Sequence, residues 1–347
     1  MKQKVNRLSR LPEALLPWFY ENRRELPWRL DQEPYHIWLS EIMLQQTRVE
    51  AVKGYYKRFL NAVPSIENLA NADDKLLHKL WEGLGYYSRV RNLKKAAMII
   101  VKEYGGRFPQ NYEDVRKLPG IGDYTAGAIC SIAFNQKTPA VDGNVLRLFS
   151  RLTDDSTPID TPAMKQKTAD ALRDVYPDRA GDFTQALMEL GATICGPNRK
   201  PDCASCPCSS FCMSYANHTE ETLPVKQPKK PRKQVDMTVF ILSSSGLYAL
   251  EKRDEKGLLA GLWHFPNVEG SLDTLQAIEY LKEKGIAVKD VLRQAERKHI
   301  FTHVQWNMRG FYMEVSSHRG TYQWLTPDKI EAEAALPTAF RQFWEEK

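Results

Sequence analysis

The stretch that most limits what this chain can build is Leu223–Gln234, LPVKQPKKPRKQ, with three prolines, five basic residues and no acid. Proline has no backbone N–H to donate and fixes its own φ, so neither a helix nor a central strand runs through such a segment. Like charges then keep it extended. The expectation is a linker at 223–234 between two folded regions, 1–222 and 235–347, each long enough to bury its own core. The linker's basic groups can meet anionic phosphates or stay in water. A composition of 42% hydrophobic and 27% charged residues is that of an ordinary globular protein, and no apolar run reaches membrane-spanning length. The polar start MKQKVNRLSR shows no secretory signal, so the expected location is the cytoplasm, on the nucleoid if the source is bacterial. A formal charge of +6 permits an anionic partner without requiring one.

Cys195, Cys203, Cys206 and Cys212 cluster within 195–212, with Cys208 among them and Cys130 far upstream. Without a secretory signal a disulfide framework is not expected. Four thiolates spaced C-x7-C-x2-C-x5-C can hold a [4Fe–4S] cluster or a structural zinc, and the spacing favours neither.

Upstream, Trp38–Val49 (WLSEIMLQQTRV) sets one carboxylate, Glu41, in an apolar run that Pro34 can open as a helix. Buried there without a cation, Glu41 would hold a proton near neutral pH and act as a general acid; a helix Glu facing water is the plain alternative. Arg23, Arg24 and Arg29 flank Trp28, as phosphate contacts or as a solvated loop. Gln45, Gln46 and Thr47 fall in the turn before a second helix at 48–60, where compact polar groups can read a base edge or simply make a turn. A helix over 73–84 breaks at GLGYY, and Tyr86 and Tyr87 precede Arg89, Arg91, Lys94 and Lys95, materials for stacking on bases or for a solvated basic face. In Phe108–Phe134, Asn111 can cap a short helix, Pro119 stops it, and Gly120 and Gly122 allow a tight turn into the next helix. That hairpin would present bare N–H groups to a phosphate. Asp142 precedes the periodic run Val145, Leu146, Phe149, Leu152, so it reads as an N-cap, able also to face a cleft as an anion with its pKa lowered by helix N–H groups. Phe183–Cys195 is a further apolar-faced helix.

Beyond the linker, alternation predicts strands at 235–243 and 246–252, a helix at 272–283, and strands near 299–306, 310–315 and 322–325. Thr326 and Pro327 begin a helical tail with a break at Pro337. The result is a small α+β domain.

Taken together, SEIMLQQTRVE, LWEGLGYYSR, LPGIGDYTAGAI, AVDGNV and the four-cysteine segment resemble the MutY family of adenine DNA glycosylases, in the helix-hairpin-helix (endonuclease III) superfamily. The segment after the linker is similar in layout to that family's Nudix-like domain. The resemblance implies a multidomain fold class: a mostly α helix-hairpin-helix glycosylase domain carrying an iron–sulfur cluster, 1–222, then a small α+β Nudix-like lesion-recognition domain, 235–347. It implies a monomer that excises adenine mispaired with 8-oxoguanine or guanine in double-stranded DNA, by acid-assisted hydrolysis. By position Glu41 looks like the acid and Asp142 like the second carboxylate, with Asn144 and Tyr124 around the deoxyribose. Tyr124 stands where related glycosylase/lyases carry a Schiff-base lysine, which implies a monofunctional enzyme. Gln185, with Arg24, Trp28 and Arg29, is assigned to the extruded adenine. Gln46 and Tyr86 resemble intercalating residues, Thr47 and Leu84 lie where 8-oxoguanine is contacted, and Gly120 and Gly122 form the DNA-binding hairpin. The loop Phe301-Thr302-His303 would complete recognition of the opposite base, with threonine where the family often has serine. The cysteines Cys195, Cys203, Cys206 and Cys212 would hold a [4Fe–4S] cluster, although the first gap has seven residues where six are expected, and Cys208 is an alternative ligand. No acidic Nudix-hydrolase run is present, so the C-terminal domain is expected to recognise rather than hydrolyse.

Overall fold

The computed structural model describes residues 7–197, 200–228, 231–254, 256–316 and 322–345. Positions 229 and 230 of the expected linker and 198 and 199 of the cysteine loop lie outside them. The chain forms two compact units: one takes in the chain up to Asn71 together with Asn92–Pro228, the other Ala72–Arg91 together with the chain after Pro228. Residues 72–91, placed by the sequence reading within 1–222, therefore group with the C-terminal unit.

The helices are α1 (Leu11–Asn22), α2 (Pro34–Leu44), α3 (Val49–Ala62), α4 (Ile66–Asn71), α5 (Asp74–Leu80), α6 (Ser88–Tyr104), α7 (Tyr112–Lys117), α8 (Asp123–Phe134), α9 (Gly143–Thr153), α10 (Pro162–Arg173), α11 (Ala180–Thr193) and α12 (Met213–Asn217), with a 3-10 turn at Pro27–Arg29. Their starts follow local chemistry. Pro34 and Pro162 occupy first turns, and the Asp73, Asn111, Asp142 and Thr161 side chains each accept a backbone N–H that the helix leaves unpaired. In the first unit α11 packs against α1, α8 and α9. Phe19, Phe183, Leu187 and Leu190 are buried in the resulting core, each such side chain contributing about 1.5–3 kcal/mol. The close approach of α11 to α9 depends on Gly191: a Cβ there would sit 2.7 Å from the Cβ of Asn144.

The second unit holds strands β1 (Lys233–Ser244), β2 (Leu247–Lys252), β3 (Trp263–His264), β4 (Asn267–Glu269), β5 (Val288–Ile300), β6 (Val304–Val315) and β7 (Gln323–Leu325), and helices α13 (Thr274–Glu283), α14 (Pro327–Glu333) and α15 (Thr338–Trp344). The strand order is β3-β2-β1-β6-β5, with β4 beside β1 and β7 beside β2. Strands β1 and β6 run parallel from Lys233 opposite Val304 to Ser243 opposite Glu314. Successive side chains of β1 serve two cores: Val239 and Ile241 face Phe340, Phe343 and Trp344, while Phe240 and Leu242 face Leu281, Phe311 and Met313. The expected strand over 299–306 instead straddles the turn between β5 and β6. Most of β5, VKDVLRQAERKHI, was missed because it is largely solvated and shows no apolar alternation.

Residues 72–91 join this unit through named bonds. Glu82 Oε1 accepts the Leu336 N–H at 3.0 Å and Arg341 Nη1 at 3.3 Å, and Arg91 Nη1 donates to the Ala260 carbonyl at 2.7 Å.

The fold class expected from the sequence needs one correction, and with it the cofactor assignment. Among the described residues no group of three or more His, Cys, Asp or Glu side chains is placed to hold a metal ion. The [4Fe–4S] cluster on Cys195, Cys203, Cys206 and Cys212 is therefore not supported. Arg151 Nη1 donates to Cys195 Sγ at 3.1 Å, Cys212 Sγ donates to the Arg151 carbonyl at 3.5 Å, and the Cys208 thiol donates a hydrogen bond to Cys206. The four cysteines border a cavity of only about 20 Å³. Burial raises the thiols of Cys195, Cys203 and Cys212, Cys203 to about 11, whereas the hydrogen bond from Cys208 lowers that of Cys206. The architecture is a mostly helical part followed by a β-rich α+β part, with no metal cluster supported among the described residues.

Candidate active site

Almost all of α2 is buried, Tyr35 and Ile37 through Met43 inclusive, so Glu41 has no route to bulk water except the pocket it lines. The pocket has a volume of about 410 Å³ and brings together the 3-10 turn, α2, the Gln45–Thr47 turn, α8, the start of α9 and α11. Glu41 is 6% exposed, and burial raises its carboxyl to about 7, aided by nearby Asp142 and opposed by a hydrogen bond from Tyr124 and by the charge of Arg29. The Tyr124 hydroxyl, reaching in from α8, donates to Glu41 Oε2. Burial and the neighbouring carboxylates hold that phenol well above its ordinary pKa, so it remains a donor.

Asp142 caps α9 as expected, Oδ1 accepting the Val145 N–H at 2.8 Å and Oδ2 accepting Asn144 Nδ2 at 2.7 Å. Its pKa, however, is raised rather than lowered, because burial outweighs these bonds. Behind it stands Arg147, which the sequence reading passed over. Its guanidinium donates to Asn144 Oδ1 at 2.9 Å and to the carbonyls of Gly191 and Cys195, each at 2.7 Å. Arg147 orients Asn144, Asn144 orients Asp142, and the same arginine ties α9 to the end of α11.

Arg24 and Arg29 line the pocket. Both are bound to Glu189 of α11, a wholly buried carboxylate that was also missed. Its signal was available: like Glu41, it is a lone acid within an apolar helical stretch, ALMELGA. Gln185 lines the same pocket one helical turn before it. Trp28 is buried edge-on against Tyr56, with ring centroids 5.6 Å apart. Gln46 and Thr47 lie at the rim; Gln46 is exposed and takes a left-handed φ of 61°, which turns the chain sharply between α2 and α3.

The hairpin forms as read. Gly120 has φ +80°, and a Cβ there would come within 2.8 Å of Asn92 Cβ; Gly122 is the N-cap of α8. Arg116 and Asp123 form an ion pair across it.

The remaining expected contacts belong to the second unit. Leu84 is 6% exposed and points inward, whereas Tyr86 is 51% exposed, with a left-handed φ of 46°. Phe301, Thr302 and His303 form the turn between β5 and β6, with Thr302 and His303 exposed. The Tyr86 hydroxyl and Thr302 Oγ1 are hydrogen-bonded at 2.8 Å. Tyr86, Phe301, Thr302 and His303, but not Leu84, line a cavity of about 430 Å³.

Residues 39–173 match the family described as HhH-GPD superfamily base excision DNA repair protein, and residues 237–346 match the NUDIX domain. The adenine DNA glycosylase of Arabidopsis thaliana is 37% identical over 89% of this chain and 57% of its own length, so the chain spans little more than half of that relative. The human adenine DNA glycosylase is 34% identical over 95% of this chain and 72% of its own. That of Buchnera aphidicola subsp. Acyrthosiphon pisum is 35% identical over 84% of this chain and 83% of its own. Among solved structures, a thermostable thymine-DNA glycosylase matches with a TM-score of 0.56 at 29% identity, over 62% of this chain and 98% of that one. A trapped endonuclease III–DNA covalent intermediate shares the fold, with a TM-score of 0.53 at 22% identity, over 63% of this chain and 99% of that one.

Proposed function

Because this chain belongs to the adenine DNA glycosylase family, we propose that it extrudes and excises adenine mispaired with 8-oxoguanine or guanine, by acid-assisted hydrolysis without strand cleavage. Hydrolysis of an adenine N-glycosyl bond, the step that initiates base excision repair, comes with the family. The observation that carries the mechanism is the buried Glu41 carboxyl, facing a base-sized pocket with Tyr124 on one oxygen and Asp142 nearby.

Adenine is a poor leaving group until it is protonated. An extruded adenine entering the pocket would take the Glu41 proton at N7. The C1′–N9 bond then breaks with its electron pair going to the base, and positive charge develops on the sugar. Asp142, held by Val145 and Asn144, stabilises that charge or captures it covalently, and the growing cation itself favours the ionised form of the carboxyl. Glu41, now ionised, takes a proton from water as the water oxygen bonds to C1′, and where Asp142 has captured the sugar its bond to C1′ breaks with the electron pair returning to the carboxylate, leaving an abasic site. The division of labour between two carboxylates is that of glycosidases. Among the described residues lining the pocket there is no lysine, and Tyr124 cannot form a Schiff base, which supports hydrolysis over lyase chemistry.

In the second unit, Tyr86 and Thr302 supply a stacking ring and a hydroxyl where the base opposite adenine would be read. The test is a labelled duplex carrying adenine opposite 8-oxoguanine, incubated with protein and then treated with alkali. Strand breaks only after alkali are expected. An absence of alkali-labile product would sink the reading, and breaks without alkali would replace it with a lyase.

A further inference from the structure

Glu189 lies on α11 at the wall of the pocket, with its side chain wholly buried. Its Oε1 accepts Arg24 Nε at 2.6 Å and the Arg24 backbone N–H at 3.1 Å, while Oε2 accepts Arg24 Nη2 at 3.0 Å and Arg29 Nη2 at 2.8 Å. Arg29 Nη1 donates in turn to the Arg24 carbonyl at 3.1 Å. Two guanidiniums are thus locked to one carboxylate, and the cluster carries one net positive charge instead of two. Bidentate bonds of this kind fix direction as well as charge. Both arginines still have unused N–H donors, and both line the pocket that Glu41 faces.

We propose that Glu189 is a positioning residue for the glycosylase reaction: it anchors Arg24 and Arg29 on the pocket wall and holds the charge of Arg29 off Glu41, so that Glu41 still carries its proton when adenine arrives. This rests on the glycosylase reading given above. The charged and titratable groups that bear on Glu41 are Tyr124 from α8, Asp142 at the start of α9 with Arg147 behind it, and Arg29 from the 3-10 turn with Arg24 and Glu189 behind it. Of these, Arg29 is the cation acting directly on Glu41, and Glu189 is its buried counter-ion. Without Glu189 the unneutralised guanidinium would favour ionised Glu41, which has no proton to give.

The experiment measures single-turnover excision from an adenine:8-oxoguanine duplex between roughly pH 5.5 and 9 for the full chain and for Glu189→Gln, Glu189→Asp and Arg29→Met. The wild-type rate falls on the alkaline side as Glu41 loses its proton. In Glu189→Gln that fall is expected about one pH unit lower, which is about a tenfold loss of rate on the alkaline limb. Glu189→Asp should return the limb towards its original place, and Arg29→Met should move it the other way, to higher pH. A Glu189→Gln rate reduced by one constant factor at every pH, with the limb unmoved, would overturn the proposal by making Glu189 a merely structural residue. If Glu189→Gln does not fold, the direction of the Arg29→Met shift decides: upward supports the proposal, and no shift or a downward one overturns it. Wild-type protein without excision would overturn the glycosylase reading itself, a distinct result.

Discussion

Glu41 and Glu189 are both acids buried in apolar helices of one pocket, yet their pKa values move in opposite directions. Glu41 has a phenol on one oxygen and feels the charge of Arg29, and burial lifts it to about 7; Glu189 is gripped by two arginines and is lowered. Partner chemistry, not burial alone, decides which acid keeps a proton. Replacing Glu41 by glutamine is expected to abolish excision while leaving duplex affinity within a few-fold, measured by single-turnover assay and by electrophoretic titration. The same variant reports on linkage. With a folded pKa near 7 against 4.5 for the free group, the stabilisation from proton uptake by Glu41 is complete below 4.5 and is lost as pH rises through 7. Glu41→Gln should therefore gain stability over wild type at pH 8 by on the order of 2–3 kcal/mol relative to its difference at acid pH. Urea denaturation at the two pH values checks this, and an equal difference at both would show that Glu41 titrates normally.

At the scale of elements, the site exists because α11 can approach α9 and because a tight hairpin precedes α8. Gly191→Ala would drive a methyl into Asn144 and is expected to cost about 1–3 kcal/mol, with excision falling more than DNA binding because Asp142 loses its orientation. Urea denaturation and the excision assay read the two effects. Gly120→Ala meets both a left-handed backbone, φ +80°, and the Asn92 side chain. Weaker duplex binding at unchanged single-turnover excision under saturating protein is expected; unchanged affinity would remove the hairpin from the DNA interface. The helix starts were legible in the sequence because a proline or a capping side chain acts within a few residues, as at Pro34, Asn111, Asp142 and Thr326. Strand β5 was not, since its residues are mostly solvated and it is held by backbone bonds to β6. Such pairing leaves no side-chain periodicity to read.

For the whole molecule, the Pro-rich segment marks where the chain divides, but the units are not its two sides. Residues 72–91 belong with the C-terminal unit, bonded to Ala260, Thr302, Leu336 and Arg341. A chain ending at Pro228 should therefore lose partners for α5 and the loop after it. Cleavage of 72–91 by a protease far faster than in the full chain, and a lower melting temperature, are expected; equal protection would show that the segment needs no C-terminal partner. No described helix is long and apolar enough to cross a membrane. The sequence alone determined several helix starts, the hairpin and the family resemblance, and it offered Glu41 and Asp142 as candidate carboxylates, because each rests on residues close together or on a motif carried whole. The tertiary structure alone decided that Arg24 and Arg29 share Glu189, that Arg147 steers Asp142 through Asn144, that Tyr86 meets Thr302, and that among the described residues the four cysteines are not placed to hold a metal ion. Those outcomes depend on distance and burial between residues far apart in the chain, and spacing in sequence carries neither.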